Sequence, residues 1–281
     1  MKLILCAENL LNEDQFPTDA AVTADEEAAG FEAWHVATTR RYPSDRWEPT
    51  NDDAAHYLHR AFAIPRGFDF VAIDRESNHL GYPYSLTHSA DGFTTTTTSW
   101  SLTIPSVVGG QMGGVLGCVT DEGAWIKTFT TEIAPAVRLN SLAMGATLVP
   151  KLTNVWIGKC WQPEGFVQYM HADDERLTRR QRSTESDAGW LGRGRSTPIR
   201  RAEITLHIES AYDYDMVRYH VLHLMAAKSQ PAWVCWDRDT GGRRARLFAL
   251  DGEPDLDFGQ KFELGARRRV TIPVREEQPL P

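Results

Sequence analysis

The sequence has only four cysteines in 281 residues, Cys6, Cys118, Cys160 and Cys235, and no two form a C-x-x-C pair. That scatter argues against a disulfide framework and against a cysteine-based zinc site. Lysine is scarce too, at six against 24 arginines. Codon bias in a GC-rich genome yields such a ratio; so does extensive interface, where arginine and aromatics are enriched and lysine depleted. Long apolar runs are missing. The run at the start reaches Glu8 too soon for a signal-peptide core, and the uncharged stretch 92–120 is rich in Thr, Ser and Gly rather than continuously apolar. These absences predict a protein made and kept in a cytoplasm, with no membrane insertion.

Catalytic signatures are absent as well. No G-x-S-x-G elbow occurs, and the glycines of 108–117 fit neither a P-loop nor G-x-G-x-x-G. Two H-x-x-H pairs, His56/His59 and His220/His223, lack the glutamate of H-E-x-x-H and read as surface or partly buried histidines rather than ligands. Cys160 and Cys235, beside tryptophans in apolar runs, read as buried structural thiols. No catalytic residue, metal site or cofactor is expected.

What is present is 42% hydrophobic residues, 24% charged residues and nine tryptophans, the composition of a globular protein with real cores. The net charge of −8 is unevenly spread. Residues 1–175 carry 11 basic and 23 acidic side chains, whereas 176–281 carry 19 and 15, so a −12 stretch precedes a +4 stretch. Opposed stretches let copies of one chain meet, but the second is too mildly basic, and too poor in interleaved aromatics, to predict nucleic-acid binding.

Short alternating runs at 2–6, 70–74, 93–104, 124–130 and 151–159, punctuated by turn residues, predict a mainly β chain beginning with an antiparallel β-sandwich over 1–160. One early helix is expected at 50–62, where Asn51, Asp52 and Asp53 suit a helix start. Residues 161–198 read as an Arg-rich junction or arm. The remainder, 199–281, reads as a smaller β-rich α+β domain: an alternating strand at 201–208, then a main helix over 211–228, opened by Ser210 three residues before Asp213 and ended by Pro231. Tyr212, Met216, Tyr219 and Leu222 or His223 follow at helical spacing and supply that helix's expected stripe.

Two features point to assembly. The loop 108–117 places Val108, Met112 and Leu116 among glycines, an apolar tip that a neighbouring copy would cover unless it folds back on its own domain. Arg179, Arg180, Arg182, Arg193 and Arg195 make the junction a protein-facing arm or a solvated linker.

The blocks 3–12, Ala33-Trp34-His35-Val36, Arg46-Trp47-Glu48-Pro49 and Val155-Trp156-Ile157-Gly158 resemble galactose-binding-like, or discoidin-like, jelly-rolls. The later blocks 189–195, 200–206, 212–220 and 230–234 are similar to tail-tip or distal-tail structural proteins of long-tailed bacteriophages. The joint resemblance implies a virion tail component without enzymatic activity. It would form a homo-oligomeric ring between tube, hub and fibres, with the jelly-roll as an adhesion module. It also implies that Trp34, Arg46 and Trp47 hold any cell-surface glycan. The alternatives are a free-standing carbohydrate-binding protein and, further off, a glycan-degrading hydrolase.

Overall fold

The computed structural model describes residues 3–37, 46–50, 55–74, 77, 81–104, 117–119, 124–141, 149–164, 167–169, 176–179, 183–185, 191–193, 198–208, 210–235, 245–257 and 268–276. The chain is mainly β, with antiparallel sheets and one helical segment, as its alternating patterns require. In chain order the first strands are β1 (Ile4–Cys6), β2 (Thr23–Ala24), β3 (His56–Ile73), β4 (Pro83–Ser89), β5 (Thr97–Thr103), β6 (Gly117–Val119), β7 (Trp125–Ser141) and β8 (Val155–Gly158). They are followed by β9 (Val167–Tyr169), β10 (Arg176–Arg179), β11 (Ser183–Glu185), β12 (Leu191–Arg193) and β13 (Pro198–Ile208). The helix α1 (Ala211–Met216, continued by Val217–Ala227) precedes β14 (Ala232–Cys235), β15 (Ala245–Leu250), β16 (Asp255–Asp257) and β17 (Arg268–Glu276). Two compact units result: Met1–Gln162 with Ala232–Ala245 and Pro279–Pro281, and Pro163–Pro231 with Arg246–Gln278.

The first unit is organised by its two long strands. β3 and β7 pair antiparallel from His56↔Ser141 to Ile73↔Trp125, but the ladder breaks between Ala61 and Arg66. There residues 62–65 of β3 stand against Pro135 alone, so Pro65 and Pro135, which have no N–H to donate, sit where no ladder bond is required. On one side of the break, β2, β4 and β5 extend the sheet; on the other, β6 and β8 do. Leu58, Tyr84, Leu86, Trp100, Val137 and Leu139 from the first side share one apolar cluster with Phe68, Val71, Ile73, Trp125, Val155 and Ile157 from the second. The halves therefore face each other as a sandwich, joined by strands that change layer at the bulge. β1 pairs with β14, Ile4 opposite Cys235, and is tied by backbone hydrogen bonds between Leu5 and Trp161.

The expected helix at 50–62 is overturned from His56 on, because those residues are strand. Alternation was hidden by polar side chains that point inward: His56, Leu58, Arg60 and Phe62 are buried, while Tyr57, His59 and Ala61 alternate with them. Arg60 is fully buried, and its guanidinium donates to the carbonyls of Ala20 (2.8 Å), Leu10 (2.7 Å) and Phe16 (3.0 Å), pinning the leading loop to the sandwich. His56 Nδ1 lies 3.1 Å from Asp25 Oδ2. On a strand the odd spacing sends His56 and His59 to opposite faces, so they cannot share a metal. Asn51, Asp52 and Asp53 lie outside the described residues.

In the second unit β15, β17, β13 and β10 form an antiparallel sheet, with β9 added on β13 and β16 on β17. Ile204 faces Ile272 and Leu206 faces Val270 across the ladder, all four buried. β11 and β12 form a separate two-stranded ladder. Ser210 caps α1, its hydroxyl accepting the Asp213 N–H at 3.1 Å. Winding then widens: Tyr214 N–H bonds back four residues to Ser210, but Lys228 N–H bonds back five, to His223. Ser229 turns left-handed at φ +52°, just ahead of Pro231. The buried stripe is Asp213, Val217, His220, Val221, Leu224 and Met225, not the expected Tyr212, Met216, Tyr219 and Leu222 or His223. Val217, Val221, Leu224 and Met225 take the inside together with Asp213 and His220, and Tyr212 is exposed.

Candidate functional site

The segment between β2 and β3 of the first unit carries the expected ligand residues. Residues Ala33–Ala37 make a short 3-10 turn in which Ala33, His35, Val36 and Ala37 are buried. Trp34 alone points out and stays 50% exposed, its ring edge-on to His35 with centroids 3.9 Å apart. His35 is fixed in turn, its Nδ1 3.2 Å from the Arg46 carbonyl and its Nε2 3.6 Å from Glu32.

Arg46 is equally well set. Its guanidinium lies 4.4 Å from the centre of the Phe31 ring, and its Nε donates to Glu48 Oε2 at 2.8 Å. Lys151 meets the other oxygen of Glu48 at 3.3 Å. The result is a half-exposed indole, joined through His35 to the Arg46 carbonyl, with Arg46 heading an ion-pair chain through Glu48 to Lys151. Trp47 is different. It is 1% exposed, its Nε1 donates to the Glu26 carbonyl at 3.0 Å, and its backbone bridges to Leu152. Trp47 is a core residue that holds the loop, and of the expected trio only Trp34 and Arg46 keep side-chain surface exposed. Glu48 and Lys151 were missed by sequence reading. Glu48 stands two residues from Arg46, but nothing in the sequence signals that the chain returns at Lys151.

Loop supports elsewhere in the unit are similarly exact. Burial alone would raise the Asp19 carboxyl, but the Arg66 guanidinium at 2.8 Å and the Ala63 N–H outweigh it and hold the pKa below the ordinary carboxylate value. Burial pushes the Cys6 and Cys160 thiols well up, and nearby acidic groups add to the effect. With Cys235 also buried, these thiols are structural, in line with their apolar sequence surroundings. Among the described residues no three His, Cys, Asp or Glu side chains gather as a metal site, and no helix is long and apolar enough to cross a membrane.

Of the expected assembly residues, Val108, Met112, Leu116, Arg180, Arg182 and Arg195 lie outside the described residues. Arg179 ends β10, opposite Pro198 of β13, and Arg193 ends β12, opposite Ser183 of β11.

No protein-family model matches the chain, and no curated protein matches it in sequence. Among solved structures it is similar to chitosan-binding module 1 of a chitosanase/glucanase from Paenibacillus sp. IK-5, at 20% identity and a TM-score of 0.40, over 53% of this chain and 98% of the module. A pectin-binding carbohydrate-binding module matches at 15% identity and 0.38, over 50% of this chain and 90% of that one. A putative alpha-L-fucosidase from Bacteroides thetaiotaomicron matches at 15% and 0.39, over 54% of this chain but 29% of the fucosidase.

Proposed function

We propose that this chain is a carbohydrate-binding protein whose first unit takes a glycan on Trp34 and Arg46. One observation carries the reading: a large indole stands half exposed on a turn whose other side chains are buried. An aromatic face held rigid in water suits the C–H face of a pyranose. The ionic groups of Arg46, Glu48 and Lys151 beside it supply the directional hydrogen bonds that hydroxyls require. Little ordering entropy remains to be lost on binding, because Glu48 and Phe31 already fix Arg46.

The test is a glycan array followed by calorimetric titration of the hits. Trp34→Ala should weaken binding about tenfold or more, the effect expected when a stacked aromatic contact is removed. Because Trp34 lies outside the core, thermal unfolding should be unchanged. Undiminished affinity in the variant, or no glycan bound by the parent protein, refutes the reading.

Assembly into a ring at a phage tail tip is the companion proposal. It is supported by the opposed charge of the two stretches of sequence and by the resemblance of the later blocks. Closed rings under the electron microscope would support it; a strictly monomeric protein at micromolar concentration would sink it.

A further inference from the structure

A second surface in the first unit is built around Arg138 on β7. On the side of the bulge formed by β2, β3, β7, β4 and β5, the residues that alternate with the core present Tyr57, His59, Ser85, Thr87, Arg138 and Asn140. His59 stands directly opposite Arg138 on β3, and Thr87 directly opposite it on β4. The Arg138 guanidinium carbon lies 3.9 Å from the centre of the Tyr57 ring and 3.9 Å from that of Phe93. Two rings fit that close to one planar group only on its opposite faces, so the guanidinium is clamped between them.

Phe93 reaches the clamp from the β4–β5 connection, which is rigid. Ser89 Oγ accepts the N–H groups of Asp91 (3.1 Å) and Phe93 (2.8 Å). Asp91 accepts the N–H and hydroxyl of Thr95 at 2.9 and 2.7 Å. This closed network holds Phe93 at φ +69°, a conformation that a phenylalanine does not adopt unaided. His59 packs edge-on against the same ring, centroids 5.1 Å apart.

Among the described residues the clamp leaves the charge without a counterion. Arg138 forms no ion pair among the described residues, and its Nε is buried without a hydrogen bond. The remaining donors are those of its outer edge. Nearby carboxylates are engaged elsewhere: Asp25 with the Tyr57 N–H (2.8 Å) and His56 (3.1 Å), Asp91 with Ser89 and Thr95. Beside that edge runs a polar row in which Asn140 Nδ2 donates to Ser85 and Thr87. A guanidinium with both faces covered and its edge open matches a planar carboxylate, which accepts two parallel N–H bonds. The hydroxyls and amide alongside suit a sugar that carries the carboxylate better than a bare anion.

We infer that the Arg138 face is a second binding site, separate from Trp34, for an acidic glycan whose uronate carboxylate docks on the open edge of the guanidinium. It deepens the glycan reading, yet depends on none of the residues that carry it.

Trigalacturonate and neutral galactotriose are titrated into the full chain at low salt, with two-dimensional NMR and calorimetry as readouts. The parent protein and Trp34→Ala should both bind trigalacturonate, shifting amides of β3, β4 and β7. Arg138→Gln should weaken binding about tenfold or more, as expected for loss of a charged hydrogen-bonding partner. Thr87→Asp keeps the arginine but supplies a carboxylate directly opposite it, and should weaken binding as much while the folded spectrum persists. Binding unaffected by both variants overturns the inference, as does displacement of the sugar by an equal concentration of free acetate. If Trp34→Ala abolishes neutral-sugar binding but not trigalacturonate binding, the two sites are distinct. If it abolishes both, the acidic site is refuted and the Trp34 site stands.

Discussion

Gly158 of β8 is a position where one methyl group should strongly destabilise the first unit. A Cβ built there collides with the carbonyl of Glu8 and approaches Cys6 Sγ to 3.5 Å. Both are backbone or buried groups that have no room to yield. The Glu8 carbonyl also accepts the indole N–H of Trp156 at 2.5 Å and the Cys6 thiol at 3.3 Å. Displacing it costs about 1–3 kcal/mol for overpacking. Leaving the buried Trp156 donor without its partner costs about 1–3 kcal/mol more. Gly158→Ala should therefore lose about 4 kcal/mol, a large part of the roughly 5–15 kcal/mol that stabilises a typical domain. Gly67 on β3 is the control, since a Cβ there meets nothing closer than 3.8 Å. Gly67→Ala should be neutral or stabilising by up to about 1 kcal/mol, through the unfolded chain. Urea titrations followed by near-UV circular dichroism, which reads the buried Trp125, Trp156 and Trp161, measure both. Two variants within about 1 kcal/mol of each other would refute the close-approach argument.

Arg60→Met removes a charged donor from three carbonyls but keeps an apolar stem, and should cost about 1–3 kcal/mol in the same titration. Asp19 has a depressed folded pKa, so its stabilisation is complete above its unfolded value, about 3.9, and is lost as pH falls through the folded one; Asp19→Asn should flatten the acid limb of a stability-versus-pH curve below about pH 4. In a Cys118→Ser background, the folded protein should react negligibly with a disulfide reagent at pH 8, and urea should release three thiols, because Cys6, Cys160 and Cys235 are buried.

Alternation made the sandwich legible at 70–74 and 124–130, and the cleanly alternating 201–208 gave β13 nearly whole. It failed at 56–62 because Arg60 and His56 point inward, and a buried arginine satisfied by distant carbonyls looks in sequence like a solvated one. The helix was readable from Ser210 and Pro231, but its buried face was not, because winding widened by one residue shifts which side chains share a stripe. Trp34 and Trp47 are indistinguishable by type and local context. Their different fates follow from the pairing of Trp47 with Leu152, more than 100 residues away. Arg138 carried no local signal, since its clamp joins Tyr57, Phe93 and β7 only after folding.

The two strands that run through both halves set the order in which the protein can be made. Of the partners of β3 only the two-residue β2 precedes it; β7 follows about 70 residues later, which at ~5–20 residues per second on the ribosome is roughly 3–14 s. Through that interval most of an 18-residue strand waits unpaired. The charge of Arg60 near its start interrupts what would otherwise be a sticky apolar face. The arginine that pins the finished loop thus also serves the nascent chain, as a guard against pairing with the wrong strand.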